Sequence, residues 1–513
     1  MEKSPESQSP FDEKLPCAIT ETAQETSVGE LAEVLAPSSE AERRLLWKLD
    51  FFLIPTMGIC YMLQYMDKLA LSQATLLNLR QDLVIRPLQG LHGSQYTWCS
   101  AIFYFGYLAW SWPTSYLIVR LPLGKYLAIS VFLWGGILMC HAACQSFQGL
   151  ITARFFLGVG EAAVAPGFGL IVGMFYKRDE QPARQAAWFV GNCVANLIGG
   201  VTAWGIGNAA SSIQSWRLLF LVLGGITSGY AIFLLLVLPD SPSTAFFLSS
   251  NERRTATQRM LSNETVDVEE APGGAKFHWN QVWESVQDPQ AWCLVLYTFC
   301  VNLANGGLTS FSAIIVAGFG YSSFKSLLLQ MPVGAAQLVF LIITAAIATF
   351  IPSSRILSMI LNVVVAIVGV ALIYTLNDSH KVVKLVGLSF VGAFAVNIPL
   401  ALSIISSNVV GRTKRSTVSS AVFAAYCVGN IVGPQFFLAS EEPVYATGIR
   451  ASLCGLALGV LFLGLLSAYY VWENRRRDAL HGHVNNLHHF PSSTAQAPTS
   501  HTDRQNTSFR YVR

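Results

Sequence analysis

Arg154 and Glu161 sit inside LITARFFLGVGEAAVAPGFGLIVGMFY, residues 150–176, a run that is otherwise apolar. Such a run crosses a bilayer, since about 20 apolar residues at 1.5 Å each span the roughly 30 Å hydrocarbon core. A charged side chain at mid-membrane costs roughly 2.5–3.5 kcal/mol on insertion scales, so these two are expected to face a bundle interior or a watery cavity. Seven residues make nearly two helical turns, which puts both groups on one face, about 10 Å apart along the axis. A guanidinium offers a fork of donors to a carboxylate or ureido oxygen. A carboxyl buried among glycine and alanine can hold and release a proton. The bland alternatives are a structural Arg154–Glu161 pair, an arginine anchored at the interface, and a permanently paired carboxylate. Gly158, Gly160, Ala162, Ala163, Gly167 and Gly169 suit close helix contact.

Other polar groups must share that interior. Tyr61, Gln64, Lys68 and Ser72 recur at three and four residues and make one stripe, while Asp67 points about 100° away and is expected to pair locally. Lys68 is the expected cavity cation; its alternative is to snorkel to water at the outer end. Asn302, Asn305, Gln330, Gln337, Asn397, Tyr426 and Asn430 could line an opposite wall or merely bond helix to helix, as could Asn192 and Asn196. Trp188, Phe311 and Phe423 are expected in core packing. Gly306-Gly307, Pro332, Pro399 and Pro434 mark bends.

The elements that position these residues follow from composition. Of 513 residues, 52% are hydrophobic and only 12% charged, against about 25% in soluble proteins. The chain therefore reads as an all-α polytopic membrane protein. Twelve apolar runs lie at about 49–74, 96–118, 124–144, 150–176, 185–208, 216–238, 291–318, 326–350, 356–376, 383–408, 417–439 and 450–472. They predict a disordered tail over 1–46, a six-helix bundle over 47–239, a linker over 240–290, a second six-helix bundle over 291–473 and a disordered tail over 474–513. Lysine and arginine concentrate in alternate loops, so the positive-inside rule puts both tails and the linker in the cytoplasm. The sequon at Asn377 then faces outward. In LPDSP, residues 238–242, Asp240 or Ser241 can cap a following turn that begins at Pro242. Four histidines, His481, His483, His488 and His489, belong to the polar tail and are read as solvated rather than as metal ligands.

A net charge of +3 gives no reason to expect a nucleic-acid partner, and ten cysteines without CxxC spacing indicate neither a disulfide framework nor zinc. No nucleotide loop, metal cluster or triad spacing occurs, so neither an enzyme nor a cofactor is expected.

Twelve spans in two halves resemble the plan of the major facilitator superfamily, whose halves rock about a mid-membrane site. RxxxGxxE over 154–161, followed by Pro166 and by Glu180, Gln181 and Arg184, resembles its anion:cation symporter family. So do Leu49, Asp50, Tyr61 and Asp67, FYFGYLAWSWPTSYL from 103, RLPLGKYL from 120 and WRLLFLVLGG from 216. NGGLTSF from 305, LLLQMPVGA from 327 and AYCVGNIVGPQFF from 425 most resemble the fungal allantoate permease branch.

The resemblance implies a monomer that moves a small organic anion (a carboxylate, ureide or pyridine carboxylate) with protons across the plasma membrane, or else a vacuolar one. Related vesicular glutamate transporters and sialin place a basic residue of the first helix, and an arginine and a glutamate of the fourth, on the transport path. Lys68, Arg154 and Glu161 match those positions. Substrate binding is thus expected from Arg154, Lys68, Gln64, Tyr61, Asn305, Tyr426 and Asn430, and proton coupling from Glu161 and Asp67. Two departures matter. Lys68 replaces the family's usual arginine, a point charge in place of a fork. Ser111 stands where the GYxxxE segment carries its glutamate, which leaves Glu161 as the expected proton carrier. RLPLGKYL takes the place of the superfamily's GxxxDRxGRR loop without its acidic partner. The rival readings are a proton-antiport exporter, disfavoured by the lack of a GP pair near Gly199-Gly200, and a non-transporting nutrient sensor, disfavoured by the polar tails.

Overall fold

The computed structural model describes residues 39–83, 94–177, 180–264, 278–351, 353–481, 502–507 and 509–512. They are nearly all helical, with no strand among them, because a chain in lipid must satisfy its backbone groups internally. The first half holds α1 (Ser39–Leu76), α2 (Gln95–Arg120), α3 (Leu123–Cys140), α4 (Phe147–Glu161), α5 (Val164–Phe175), α6 (Gln181–Gly207) and α7 (Ser215–Val237). Two linker helices follow, α8 (Ser250–Glu264) and α9 (Trp279–Val286). The second half holds α10 (Pro289–Gly318), α11 (Met331–Phe350), α12 (Arg355–Thr375), α13 (Lys381–Val391), α14 (Asn397–Asn408), α15 (Arg412–Val432) and α16 (Ala446–His481). Among the described residues eleven stretches are long and apolar enough to cross a membrane, counting α4 with α5 and α13 with α14 as one each. The twelfth long helix is α2, whose 26 residues carry hydroxyls such as Tyr96, Thr97, Ser100, Tyr104 and Tyr107 that dilute its hydropathy.

The chain divides into two units, up to Lys48 and from Leu49 on. In the first, α1 is already helical from Ser39, with Glu40 and Glu42 in its first turn and Arg44 pairing back to Glu40 at 2.7 Å. The expected disordered tail over 1–46 therefore ends eight residues early; positions 1–38 lie outside the described residues.

In the second unit, two proline breaks fall at equivalent places of the halves. Pro166 lacks an N–H and its ring clashes with the carbonyl four residues back, so the fourth span breaks at Ala162-Ala163, directly after Glu161. Pro399 does the same to the tenth span, where Gly392–Val396 winds as a 3-10 helix. Paired interruptions of this kind are where transporters of this build place their sites. Close crossings fix the helices around them. A Cβ on Gly158 of α4 would collide with the carbonyl of Phe103 on α2, and one on Gly334 of α11 would press on Asn196 and the carbonyl of Cys193 on α6. The second crossing joins the halves.

The cap expected after the sixth span is present, while the RLPLGKYL loop and the C-terminal tail differ from expectation. Ser241 caps Pro242–Thr244 with a capping box, while Asp240 accepts from the backbone N of Lys125 at 3.2 Å. The RLPLGKYL loop thus finds its acidic partner one half-bundle away in sequence. The linker is helical over α8 and α9, and α9 turns Gln281 and Ser285 inward and leaves Trp279 and Trp283 exposed, where indoles suit the headgroup layer. The tail expected to be disordered over 474–513 is helical to His481, and residues 502–507 and 509–512 pack against the second half with Thr502, Asp503 and Tyr511 buried. Composition misled here because the segment is stabilised by distant partners rather than by its own apolar content. His483, His488 and His489 lie outside the described residues.

Candidate functional site

From α1, Tyr61, Gln64, Asp67 and Lys68 reach the middle of the first half, and Glu161 ends α4 beside them. Lys68 Nζ lies 3.7 Å from Glu161 Oε2; the glutamate is fully buried, whereas the lysine keeps 18% exposure. That separation makes an ion pair but is too long for a hydrogen bond. Neither oxygen of the carboxylate has a hydrogen-bond partner among the described residues, although a carboxylate can accept about four. Phe103 and Tyr107 of α2 lie near the ammonium with centroids 5.5 and 5.6 Å away. Gln64 donates to the backbone oxygen of Glu161 at 3.4 Å, just where the proline break loosens the helix. Asp67 turns aside, as its angular offset predicts, and accepts from Trp134 Nε1 of α3 at 2.6 Å.

Arg154 is buried and stands apart from Glu161, as the seven-residue spacing implies. It lies about 10 Å from Glu161 along the axis, toward the 141–146 loop, and is only 3% exposed. Its Nε and Nη2 find no partner among the described residues. The carboxylate's ion partner is therefore Lys68.

In the second half Asn305 donates to Asn430 at 2.8 Å, and Asn430 donates to Asn302 at 3.0 Å and to the backbone of Tyr426 at 2.8 Å. This chain of amides ties α10 to α15. Tyr426 meets Tyr104 of α2 at 5.9 Å, and Phe423 meets Tyr107 at 5.3 Å. A cavity between the halves is lined by Tyr65, Asn196, Asn305, Thr309, Gln330 and Gln337, among others. Across it Asn196 donates to Gln337 at 3.0 Å, and Gln337 donates to Asn192 at 2.9 Å. Tyr61 packs edge-on against Trp188 at 4.7 Å. The sequence reading missed Tyr65, Tyr104, Tyr107 and Trp134. Tyr65 stands one turn beyond Tyr61 on the same face, which was the available signal. Ser111 bonds back to the carbonyl of Leu108 at 2.7 Å and puts no acid on α2.

The end of the molecule poor in lysine and arginine is bridged from half to half. Arg80 donates to both oxygens of Glu442 at 3.0 Å, Tyr96 donates to the carbonyl of Ser310 at 2.6 Å, and Ser100 pairs with Ser310. Thr97 reaches Gln435 at 3.1 Å, and Ser72 accepts from the backbone of Ala313 at 3.2 Å. At the basic end, the pairs Arg184–Asp50 and Lys414–Asp288 each stay within one half.

The sequence model of the Major Facilitator Superfamily matches residues 52–434. The chain belongs to that superfamily. An uncharacterized transporter of Schizosaccharomyces pombe is 34% identical over 92% of this chain and 88% of its own length. The allantoate permease of Saccharomyces cerevisiae is 33% identical over 94% and 89%, and a thiamine pathway transporter of the same yeast 28% identical over 93% and 87%. Among solved structures, the xylose transporter XylE of E. coli in a partially occluded inward open conformation aligns with a TM-score of 0.60 at 14% identity, over 80% of this chain and 96% of that one. The superfamily fold agrees with the twelve long helices and the two matching halves. A transporter of this build carries its solute between halves that meet at the amides and rings just described.

Proposed function

We propose that this superfamily transporter is a symporter moving a small organic anion together with a proton, and that Lys68 and Glu161 form its coupling pair. The supporting observation is a half-open ammonium 3.7 Å from a fully buried carboxylate that lacks hydrogen bonds among the described residues. An anion arriving at the exposed side of Lys68 competes with Glu161 for the same positive charge. When it wins, the carboxylate would be left bare in a dry interior, which is too costly to persist, so it takes up a proton. Solute and proton then ride together. That matters because a membrane potential opposes uptake of a lone anion by about 2.3 kcal/mol per charge per 100 mV.

In this reading Arg154 adds positive potential to the path, while Gln64 and Tyr61, with Asn305, Tyr426 and Asn430 from the facing half, orient the rest of the solute. Asp67, held by Trp134, keeps the lysine's side of α1 in register. In this reading the protein lies in the plasma membrane, and its loop charges favour both ends in the cytoplasm. The similarity to an allantoate permease makes ureides and carboxylates the first class to test.

The test uses the purified chain in proteoliposomes with labelled allantoate, nicotinate, ureidosuccinate, pantothenate or an aliphatic carboxylate. An inward proton gradient should drive accumulation, and adding solute should draw protons inward with it. Protons moving outward as solute enters would overturn symport. Glu161→Gln should keep exchange of labelled for unlabelled solute yet lose accumulation. A variant that accumulates as the parent does removes Glu161 from the coupling role.

A further inference from the structure

Residues 502–507 and 509–512, within the sequence TDRQNTSFRYV, lie where α10, α14, α15 and α16 end together. The side chain of Lys414 on α15 is wholly buried there and holds three carboxylates: Glu284 of α9 at 3.0 Å, Asp288 at the head of α10 at 2.7 Å, and Asp503 at 2.8 Å. Asp503 also accepts from Gln290 Nε2 at 2.9 Å, from the backbone of Val410 at 3.2 Å and from the Tyr511 hydroxyl at 2.8 Å. Arg477 of α16 donates to the backbone oxygens of Asp503, Asn506 and Phe509 at 3.0, 3.4 and 2.8 Å.

Two amides grip the segment's main chain in both directions. Asn474 donates to the Tyr511 carbonyl at 2.8 Å and accepts from its N–H at 2.9 Å. Asn408 of α14 does the same for Val512, at 2.7 and 2.8 Å. The Tyr511 ring stacks on Tyr470 of α16 with centroids 4.9 Å apart and planes 8° from parallel. Thr502 donates to Glu284 at 2.7 Å.

A cation for an acidic side chain, paired amides for the backbone and a ring platform for a tyrosine are what recognise a peptide. We propose that this end of the second half is a peptide-binding site whose ligand is the chain's own residues 502–512, and that docking clamps the ends of α10, α14, α15 and α16 into one body. The contacts that hold the segment do not require its chain to be continuous with α16, from which residues 482–501 separate it in sequence. The clamp matters because rocking transport needs each half to turn as a unit. It depends on neither the solute nor the proton route proposed above.

The test places a protease site within residues 482–501 of the full-length chain and cuts after folding and purification. A fluorescent peptide of residues 502–512 should then exchange into the cut protein, with anisotropy rising and saturating, and excess unlabelled peptide should reverse it. The same peptide with Tyr511→Ala should bind at least about tenfold more weakly, having lost its stack on Tyr470 and the bond that Arg477 donates to its hydroxyl at 3.3 Å. Washing the segment out should speed amide exchange at the four helix ends, and adding peptide back should slow it again. Failure of peptide to exchange in, equal binding by a scrambled sequence, or helix ends indifferent to occupancy would each overturn the proposal. All these readouts work without a transported solute, so they fail independently of the symport reading.

Discussion

At the scale of residues, Lys68 is the group with most to lose. It is the ionic partner of Glu161 among the described residues and stands over two aromatic rings, so replacing it removes the positive charge that an incoming anion and the glutamate would contest. Hydrogen bonds to charged groups are worth about 1.5–3 kcal/mol. Lys68→Ala is therefore expected to raise KM for uptake by roughly 10- to 100-fold, read from the concentration dependence of initial rates. Lys68→Arg should retain uptake, because a fork replaces a point charge at the same place. An alanine variant with the parent's KM would show that the solute never meets this ammonium. That Arg154 and Glu161 are buried inside the bundle was legible in the sequence, since a charge in an apolar run announces itself. Who pairs with whom was not. The stretch around Arg154 and Glu161 invited an internal pair, yet the glutamate meets a lysine from another helix, and that choice depends on helix rotation and crossing, which no local spacing encodes.

At the scale of elements, the same contrast separates the spans from the segment 502–512. The existence and order of the spans were legible because lipid imposes length and apolarity on every one of them, whereas the polar extensions of α1 back to Ser39 and of α16 on to His481 were not. The segment was not, because a polar peptide held by remote partners has the composition of an unfolded one. Its hold should depend on pH. Burial pushes the Asp503 carboxyl above its ordinary range, against the opposing pull of Lys414. The other charged or titratable groups around it are Asp288, Glu284, Arg477 and Tyr511. A carboxyl whose value is raised on docking binds its proton more tightly docked than free. The favourable contribution is thus complete below the free value and is lost as pH rises through the docked one. Peptide affinity for the cut protein should therefore increase as pH is lowered from 8 toward about 4, and an Asp503→Asn peptide should lose that slope. A slope that survives the substitution would assign the effect to another group.

At the scale of the whole molecule, the bridged end implies that turning the halves must break a defined set of bonds. Arg80 spans from the first half to both oxygens of Glu442, and its guanidinium also lies 4.9 Å from the Tyr96 ring. Both partners are part-exposed, at 26% and 40%, so the pair is worth no more than about 1 kcal/mol. That is small for folding, but it is a useful bias between two conformations of similar energy, because 1 kcal/mol shifts their ratio about fivefold. Glu442→Gln should move the population toward the conformation open at this end. A cysteine placed at Ser310, which is nearly buried beneath Tyr96 and Ser100, would report the shift. A membrane-impermeant maleimide added to intact cells should label it up to about five times faster with Glu442→Gln than without. Raising the salt concentration should speed labelling in the parent background and not in the variant, since screening acts on the same charge pair. Equal labelling with and without Glu442→Gln would mean that the hydroxyl bonds of Tyr96 and Ser100, rather than the ion pair, hold this end shut.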